Sequence, residues 1–233
     1  MRRVPNPELD RVILDYLAGE YKLYQHRKPG EFHLSTGVYC LTKGFFEATA
    51  PILPTDEEVM LFAIGLGLQE IMTPKTATTP TFIKDGVIYR PDFVLSIEKD
   101  EYHELKSSRM SMKTLLDHIP ESWEEYIAGG CYMRGVTTYQ LSTLLLMGNY
   151  APPFPKIYSE TLVFEQDELE NNWQHIIGRK EVYDLAILNN TPPTPHQYCK
   201  EWECKNCRYK TMCDVIGLLG IQEQAKSDIK ELW

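Results

Sequence analysis

An α/β fold is predicted for this chain by three observations. Segments with helical periodicity alternate with short β-branched and aromatic runs. The 233 residues are 43% hydrophobic and 24% charged, ordinary values for a globular chain that can bury a full core. An Asp85-Gly86 turn lies between two strand-like runs, followed by further strand-like segments that carry charged residues within apolar surroundings.

Residues 7–28 space Leu9, Val12, Ile13, Tyr16 and Leu17 as an amphipathic helix does, and Lys28-Pro29-Gly30 breaks it. Residues 32–46 read as a turn entering a short helix. Thr55-Asp56-Glu57-Glu58 ahead of an apolar run is a capping-box signature, and it opens a helix over 56–72 that ends in Gln69 and Glu70. After a threonine-rich loop at 73–81, residues 81–84 and 87–90 form a hairpin whose second strand is expected to run on through Asp92 to about Ile97. Residues 102–106 form a third strand, 121–134 a helix, 138–147 a strand and 161–166 another strand after a proline-containing loop at 149–156. Residues 167–189 are helical by pattern. The linker 190–195 leads into a cysteine-rich tail, with 215–232 as a last amphipathic helix. The expected organisation is a domain over 1–195 and a cysteine-rich tail over 196–233, packed as one unit.

The net charge is −9, which disfavours broad electrostatic wrapping of nucleic acid. Any nucleic-acid path would be a local strip, with Lys106, Arg109, Lys113 and Arg134 as its candidate cations. No apolar run approaches the ~20 residues of a membrane span. Met1-Arg2-Arg3-Val4-Pro5 lacks the apolar stretch of a signal peptide, so a cytoplasmic location is the expectation.

Pro91-Asp92, followed after eleven residues by Glu104-Leu105-Lys106, carries the chemistry. Two carboxylates can hold hard divalent cations through oxygen. Such ions polarise a phosphodiester and activate water, which a lysine can orient. Glu104 and Lys106 are two residues apart, so on a strand they share a face. Asp92 joins that face only if the hairpin has the right parity. An odd loop over Glu98-Lys99-Asp100 would set Asp92 opposite Lys106, with Glu104 diagonal to it, and a bulge would restore the phase of an even loop. Glu70 is a further candidate ligand.

On these residues the chain resembles the PD-(D/E)xK nuclease superfamily, in particular its RecB-like branch. The resemblance implies a restriction-endonuclease-like core with a mixed central sheet flanked by helices, and Mg²⁺- or Mn²⁺-dependent DNA cleavage. It implies metal ligation by Asp92, Glu104 and the Leu105 backbone carbonyl, and a catalytic, water-orienting Lys106. The chain departs from that pattern at Gly65-Leu66-Gly67-Leu68-Gln69, where Gln69 stands in place of the family's histidine. Glutamine can offer an oxygen to a metal but does not titrate near neutral pH. The Q-x-x-x-Y motif is not cleanly present. Glu125, Tyr126 and Tyr132 occupy its region, and the two tyrosines are DNA-contact candidates.

Six cysteines stand at 40, 131, 199, 204, 207 and 213. The tail spacing Cys199-x4-Cys204-x2-Cys207-x5-Cys213 points to a metal site, with zinc and iron–sulfur both open from the residues alone. With Cys40 in the setting Ser35-x4-Cys40-x2-Lys43, the tail resembles that of CRISPR-associated RecB-like exonucleases and helicase-linked nucleases. That resemblance implies a structural 4Fe-4S cluster on Cys40, Cys204, Cys207 and Cys213. Cys199 is then an extra or substitute ligand and Cys131 a buried helix cysteine. The expected function is an exonuclease acting on single-stranded DNA ends. The alternatives are a DNA-binding or assembly module serving CRISPR-adaptation or recombination proteins, including viral or mobile-element ones, and a zinc-tailed nucleic-acid-binding protein without activity.

Overall fold

The computed structural model describes residues 5–24, 30–72, 79–96, 101–146, 156–195, 197–205 and 207–217. The chain begins with α1 (Pro7–Tyr24), a two-residue strand β1 (Phe32–His33), α2 (Leu34–Val38), α3 (Leu41–Thr49) and α4 (Asp56–Met72). The reciprocal cap read at 55–58 is present: the Thr55 N–H donates to Glu58 Oε2 at 2.9 Å, and the Glu58 N–H to Thr55 Oγ1 at 3.2 Å. The hairpin follows as β2 (Phe82–Lys84) and β3 (Val87–Tyr89), paired antiparallel. Asp85 and Gly86 both take positive φ, at 50° and 74°, as a two-residue turn of this type requires.

The expected continuation of the second strand through Asp92 does not occur. The strand ends at Tyr89, and a new one, β4 (Phe93–Ser96), begins after Pro91. Proline cannot donate to a ladder, so the chain changes sheets there. β1, β3 and β2 form a small three-stranded sheet, with β1 parallel to β3. β4, β5 (Glu101–Ser108), β6 (Thr138–Leu145) and β7 (Lys156–Val163) form the main sheet in that order. Its β5–β6 pair is parallel and its outer pairs antiparallel, so the main sheet is mixed. Between them lie α5 (Met112–Asp117), which the pattern did not signal, and α6 (Glu121–Arg134).

The strand expected at 161–166 is displaced. β7 occupies Lys156–Val163, and Gln166 already opens α7 (Gln166–Asn189). A reciprocal cap between Glu165 and Glu168 fixes that start. The tail carries α8 (Glu201–Lys205), and residues 210–217 are helical. The remainder of the helix expected at 215–232, the loop 97–100, residues 25–28 and most of the loop at 149–156 lie outside the described residues. No helix among the described residues is long and apolar enough to cross a membrane.

One core joins both sheets and the helices around them, with Phe32, Leu34, Tyr89, Ile127, Leu141 and Trp173 all buried. Helix α6 presses against it through Gly129 and Gly130. A Cβ on Gly129 would sit 2.7 Å from Leu34 Cδ1, and one on Gly130 would sit 2.7 Å from Tyr89 Cζ. That close approach seats α6 on α2 and on Tyr89 of β3.

Candidate active site

Pairing in β4 and β5 sets Phe93 against His103 and Val94 against Tyr102, whereas Ser96 pairs with Glu101. The register shifts between Val94 and Ser96, a bulge of the kind the parity argument required. Without it, the Ser96–Glu101 pairing would carry Asp92 opposite Leu105, onto the wrong face. With it, Asp92 comes level with Glu104 rather than with Lys106, two residues along from the expected partner and so on the same face.

That face is the core face. Tyr102, Glu104, Tyr139 and Leu141 are buried on it, Glu104 to 1% exposure. A carboxylate there needs partners. Lys106 Nζ donates to Glu104 Oε1 at 2.5 Å, while Glu104 Oε2 is buried with no hydrogen-bond partner among the described residues. Asp92 Oδ2 accepts from the Leu105 N–H at 2.8 Å, and Asp92 Oδ1 from Gln69 Nε2 at 3.3 Å. The Lys106 ammonium also lies 5.2 Å from the centre of the Tyr126 ring.

Burial pushes the Glu104 carboxyl up to about 7, with Lys106 opposing the rise and Asp92 adding to it. Burial also raises Asp92, against the pull of Lys106 and the Leu105 N–H. For Lys106 burial acts downward, but the two carboxylates outweigh it and raise its pKa. The site thus holds two carboxylates and one firmly charged lysine, with Asp92 and Lys106 lining a cleft of about 300 Å³ and Glu104 buried behind them. Gln69, Asp92, Leu105, Lys106, Ser107 and Trp123 are among the cleft's lining residues.

Other sequence candidates fall elsewhere. Glu70 is exposed and is not part of the cleft lining, because a helix turns a neighbouring residue by about 100° away from Gln69. The Tyr132 ring stacks on Trp173 at 4.9 Å with Lys84 above it at 4.0 Å, and it is not among the cleft-lining residues. Arg134 lies over the Tyr102 ring at 3.8 Å. Arg109 and Lys113 are exposed just beyond the end of β5. Tyr126 packs edge-on to Tyr89 at 5.6 Å and donates to the Arg90 carbonyl at 3.4 Å, so it supports Lys106 from the core.

Sequence reading missed Trp123 and Thr143. Thr143 lies opposite Lys106 in the parallel register, is fully buried and has an unpartnered hydroxyl among the described residues. A threonine inside the apolar run of β6 was the available signal.

The cysteines gather as the spacing suggested. Cys40, Cys199, Cys204, Cys207 and Cys213 line one cavity together with Lys43, Glu203 and Lys210. The Cys199 and Cys204 sulfurs are 3.3 Å apart. Burial raises the pKa of Cys40 and Cys199, and pushes the Cys213 thiol up to about 11. Cys131 is buried in α6, apart from this cavity. Among the described residues, no three His, Cys, Asp or Glu side chains converge on one ion position, here or in the cleft.

The tail is fastened to the N-terminal region around this cavity. The Leu41 N–H donates to the Tyr198 carbonyl at 3.3 Å, and the Cys40 N–H to Glu203 Oε1 at 2.9 Å. Arg179 of α7 donates to the carbonyls of Gly37, Tyr39 and Tyr198, which fixes the chain on both sides of the seam.

Neither a protein-family model nor a curated protein sequence matches this chain. Solved structures do resemble it. The crystal structure of SSO0001 superposes with a TM-score of 0.56 at 16% identity, over 88% of this chain and 95% of that one. An alkaline exonuclease, LHK-Exo, from Laribacter hongkongensis gives 0.45 at 9% identity, over 70% and 92%. A phage-related exonuclease from Haemophilus somnus 129PT gives 0.44 at 10%, over 73% and 99%. At these identities the likeness is one of fold, and the first of the three carries it: a mixed α/β core with helices on the sheet.

Proposed function

We propose that this chain is a divalent-metal-dependent deoxyribonuclease, an exonuclease acting on single-stranded ends. One observation carries the reading. A bulge brings Asp92, just ahead of β4, onto the core face of β5 with Glu104 and Lys106; Asp92 and Lys106 line a cleft, and behind them one buried oxygen of Glu104 lacks a hydrogen-bond partner among the described residues. Hard cations take carboxylate oxygen, so Asp92 and Glu104 fit Mg²⁺ or Mn²⁺, with the Leu105 carbonyl as a further donor. When bound, such ions supply Lewis-acid activation of the phosphodiester and of water. The protein's own contribution is placement. Glu104 holds the Lys106 ammonium, the Tyr126 face limits its swing, and the Leu105 N–H fixes the Asp92 rotamer. Lys106 can then donate to an attacking water or a phosphate oxygen.

The cysteine cavity fits a soft-ligand group. Five thiols around one space suit zinc or an iron–sulfur cluster. The proposed ligands of a 4Fe-4S cluster are Cys40, Cys204, Cys207 and Cys213, with Cys199 as a substitute. Its role is to staple the tail to residues near 40.

A second reading, a DNA-binding or assembly module acting with CRISPR-adaptation or recombination proteins, is favoured by Gln69. Its amide occupies the Asp92 oxygen that a metal would use. End-labelled single- and double-stranded DNA, incubated with Mg²⁺ or Mn²⁺ and with chelator as control, separates the two. The nuclease reading expects metal-dependent shortening that falls about 100-fold or more in Lys106→Ala, the range of a lost proton-handling group. Cleavage absent from every substrate, or unchanged in Lys106→Ala, would sink it.

A further inference from the structure

Beside the cysteine cavity lies a larger groove of about 590 Å³ whose walls come from distant parts of the chain. Tyr21 of α1 and Phe62 of α4 form one wall, packed edge to face with centroids 4.8 Å apart. Tyr39, between α2 and α3, and Trp202 of α8 form the other, at 6.3 Å and 88°. Trp202 is 60% exposed, which is costly for so large an apolar ring unless something covers it. Helix α4 borders both spaces: Phe62 lines the groove, and Gly65, about one turn further along, lines the cleft that holds Asp92 and Lys106.

The polar members of the groove are already engaged. Glu47 accepts from Arg208 at 2.9 Å, and Glu203 accepts from the backbone N–H groups of Cys40 and Lys200. Lys43 is the cation among the described lining residues, and it lies within 4 Å of both Glu47 and Glu58. A groove with four aromatic rings and one partly neutralised lysine is poorly made for phosphate and well made for flat apolar surfaces. Duplex DNA presents phosphates outward and hides its base faces. An unpaired strand exposes them, and base–aromatic stacking is tolerant of sequence.

The geometry points to this groove as the track along which an unpaired polynucleotide reaches Lys106, with Tyr39 and Trp202 as its stacking residues. The inference rests on the nuclease reading for the destination of the strand, but its binding chemistry stands apart from cleavage. It also gives the cysteine cavity a second consequence. Cys40, Lys43 and Glu203 line both spaces, and Trp202 sits between Cys199 and Cys204, so whatever orders the cysteines also sets the Trp202 wall.

Binding of fluorescein-labelled oligo(dT) by the full chain, followed by anisotropy in chelator, isolates the track from the chemistry. Trp202→Ala and Tyr39→Ala are expected to raise the dissociation constant about 5- to 100-fold each, the value of one stacked base. Trp202→Phe keeps a ring and is expected to retain most of the affinity. Salt should weaken binding with the shallow slope of about one phosphate contact. Affinity within twofold of wild type in both alanine variants would overturn the proposal, as would an equal loss of binding to a blunt duplex. Circular dichroism establishes that each variant folds. Should the alanine variants lose oligo(dT) binding while no DNA is cleaved under any metal, the track stands and the nuclease reading falls.

Discussion

Arg208 fastens the tail to the N-terminal helices through two buried ion pairs. Only 5% exposed, it donates to Glu47 on α3 and to Glu58 on α4, both at 2.9 Å, and so ties the tail to two helices that the chain visits about 150 residues earlier. Next to it Tyr209, fully buried, stacks on Phe46 at 5.5 Å. Replacing Arg208 with alanine leaves two adjoining carboxylates that retain only about a fifth of their exposure. Breaking a buried ion pair from one side costs about 3–5 kcal/mol. Lys43, at 3.6–3.9 Å, remains to share the charge, which places the expected loss at the low end, about 3 kcal/mol. For a chain of this length that corresponds to a fall in Tm of about 6–12 °C.

The effect has a pH signature. Burial alone would raise Glu58, but the Thr55 N–H and the Arg208 guanidinium overcome it and hold this carboxyl below its usual 4.5. A depressed carboxylate contributes stability above its unfolded pKa and loses it as pH falls through the folded value. The gap between wild type and Arg208→Ala should therefore be full at pH 7 and close progressively below about pH 4.5. Guanidinium unfolding followed by circular dichroism at several pH values measures it, and Arg208→Lys should recover part of the loss. Equal midpoints at pH 7, or a gap that persists undiminished at pH 3, would refute the reasoning.

Gly130→Ala should destabilise the protein by about 1–3 kcal/mol, since the new methyl meets the Tyr89 ring at 2.7 Å; thermal unfolding tests this. Tyr89→Phe removes one partner of the 2.5 Å hydroxyl pair with Tyr139 and strands a buried group, costing about 1–3 kcal/mol, whereas the double Phe variant should recover much of it. Cys204→Ala should abolish the visible absorption of anaerobically purified protein and lower its Tm. A colourless wild type containing one equivalent of zinc would replace the cluster assignment with a zinc site.

Much of the fold was legible because local rules and tertiary structure agree. The capping pattern at 55–58 opens α4, Asp85-Gly86 makes the hairpin turn, and the 121–134 pattern gives α6 with the expected bounds. Where local rules are weak, reading failed. β1 pairs through two residues only, and α5 and α8 are six and five residues long, too short for periodicity to register. β7 runs through residues whose alternation is no stronger than that of their neighbours. Pro91 was visible, yet its effect depended on a second sheet that no local pattern announces.

The candidate site divides in the same way. The residue types at 92, 104 and 106 and their two-residue spacing determined which chemistry was available and that two of the three share a face. Only tertiary structure decided that Asp92 joins them, because a bulge is a property of paired strands. It also set Gln69 against Asp92, moved Glu70 and Tyr132 away from the cleft, and drew Cys40 to the tail cysteines. Spacing along the chain governs which side chains share an element. Burial, and with it the raised pKa of Glu104 and the aromatic groove beside the cysteine cavity, arises only when distant elements exclude water from one another.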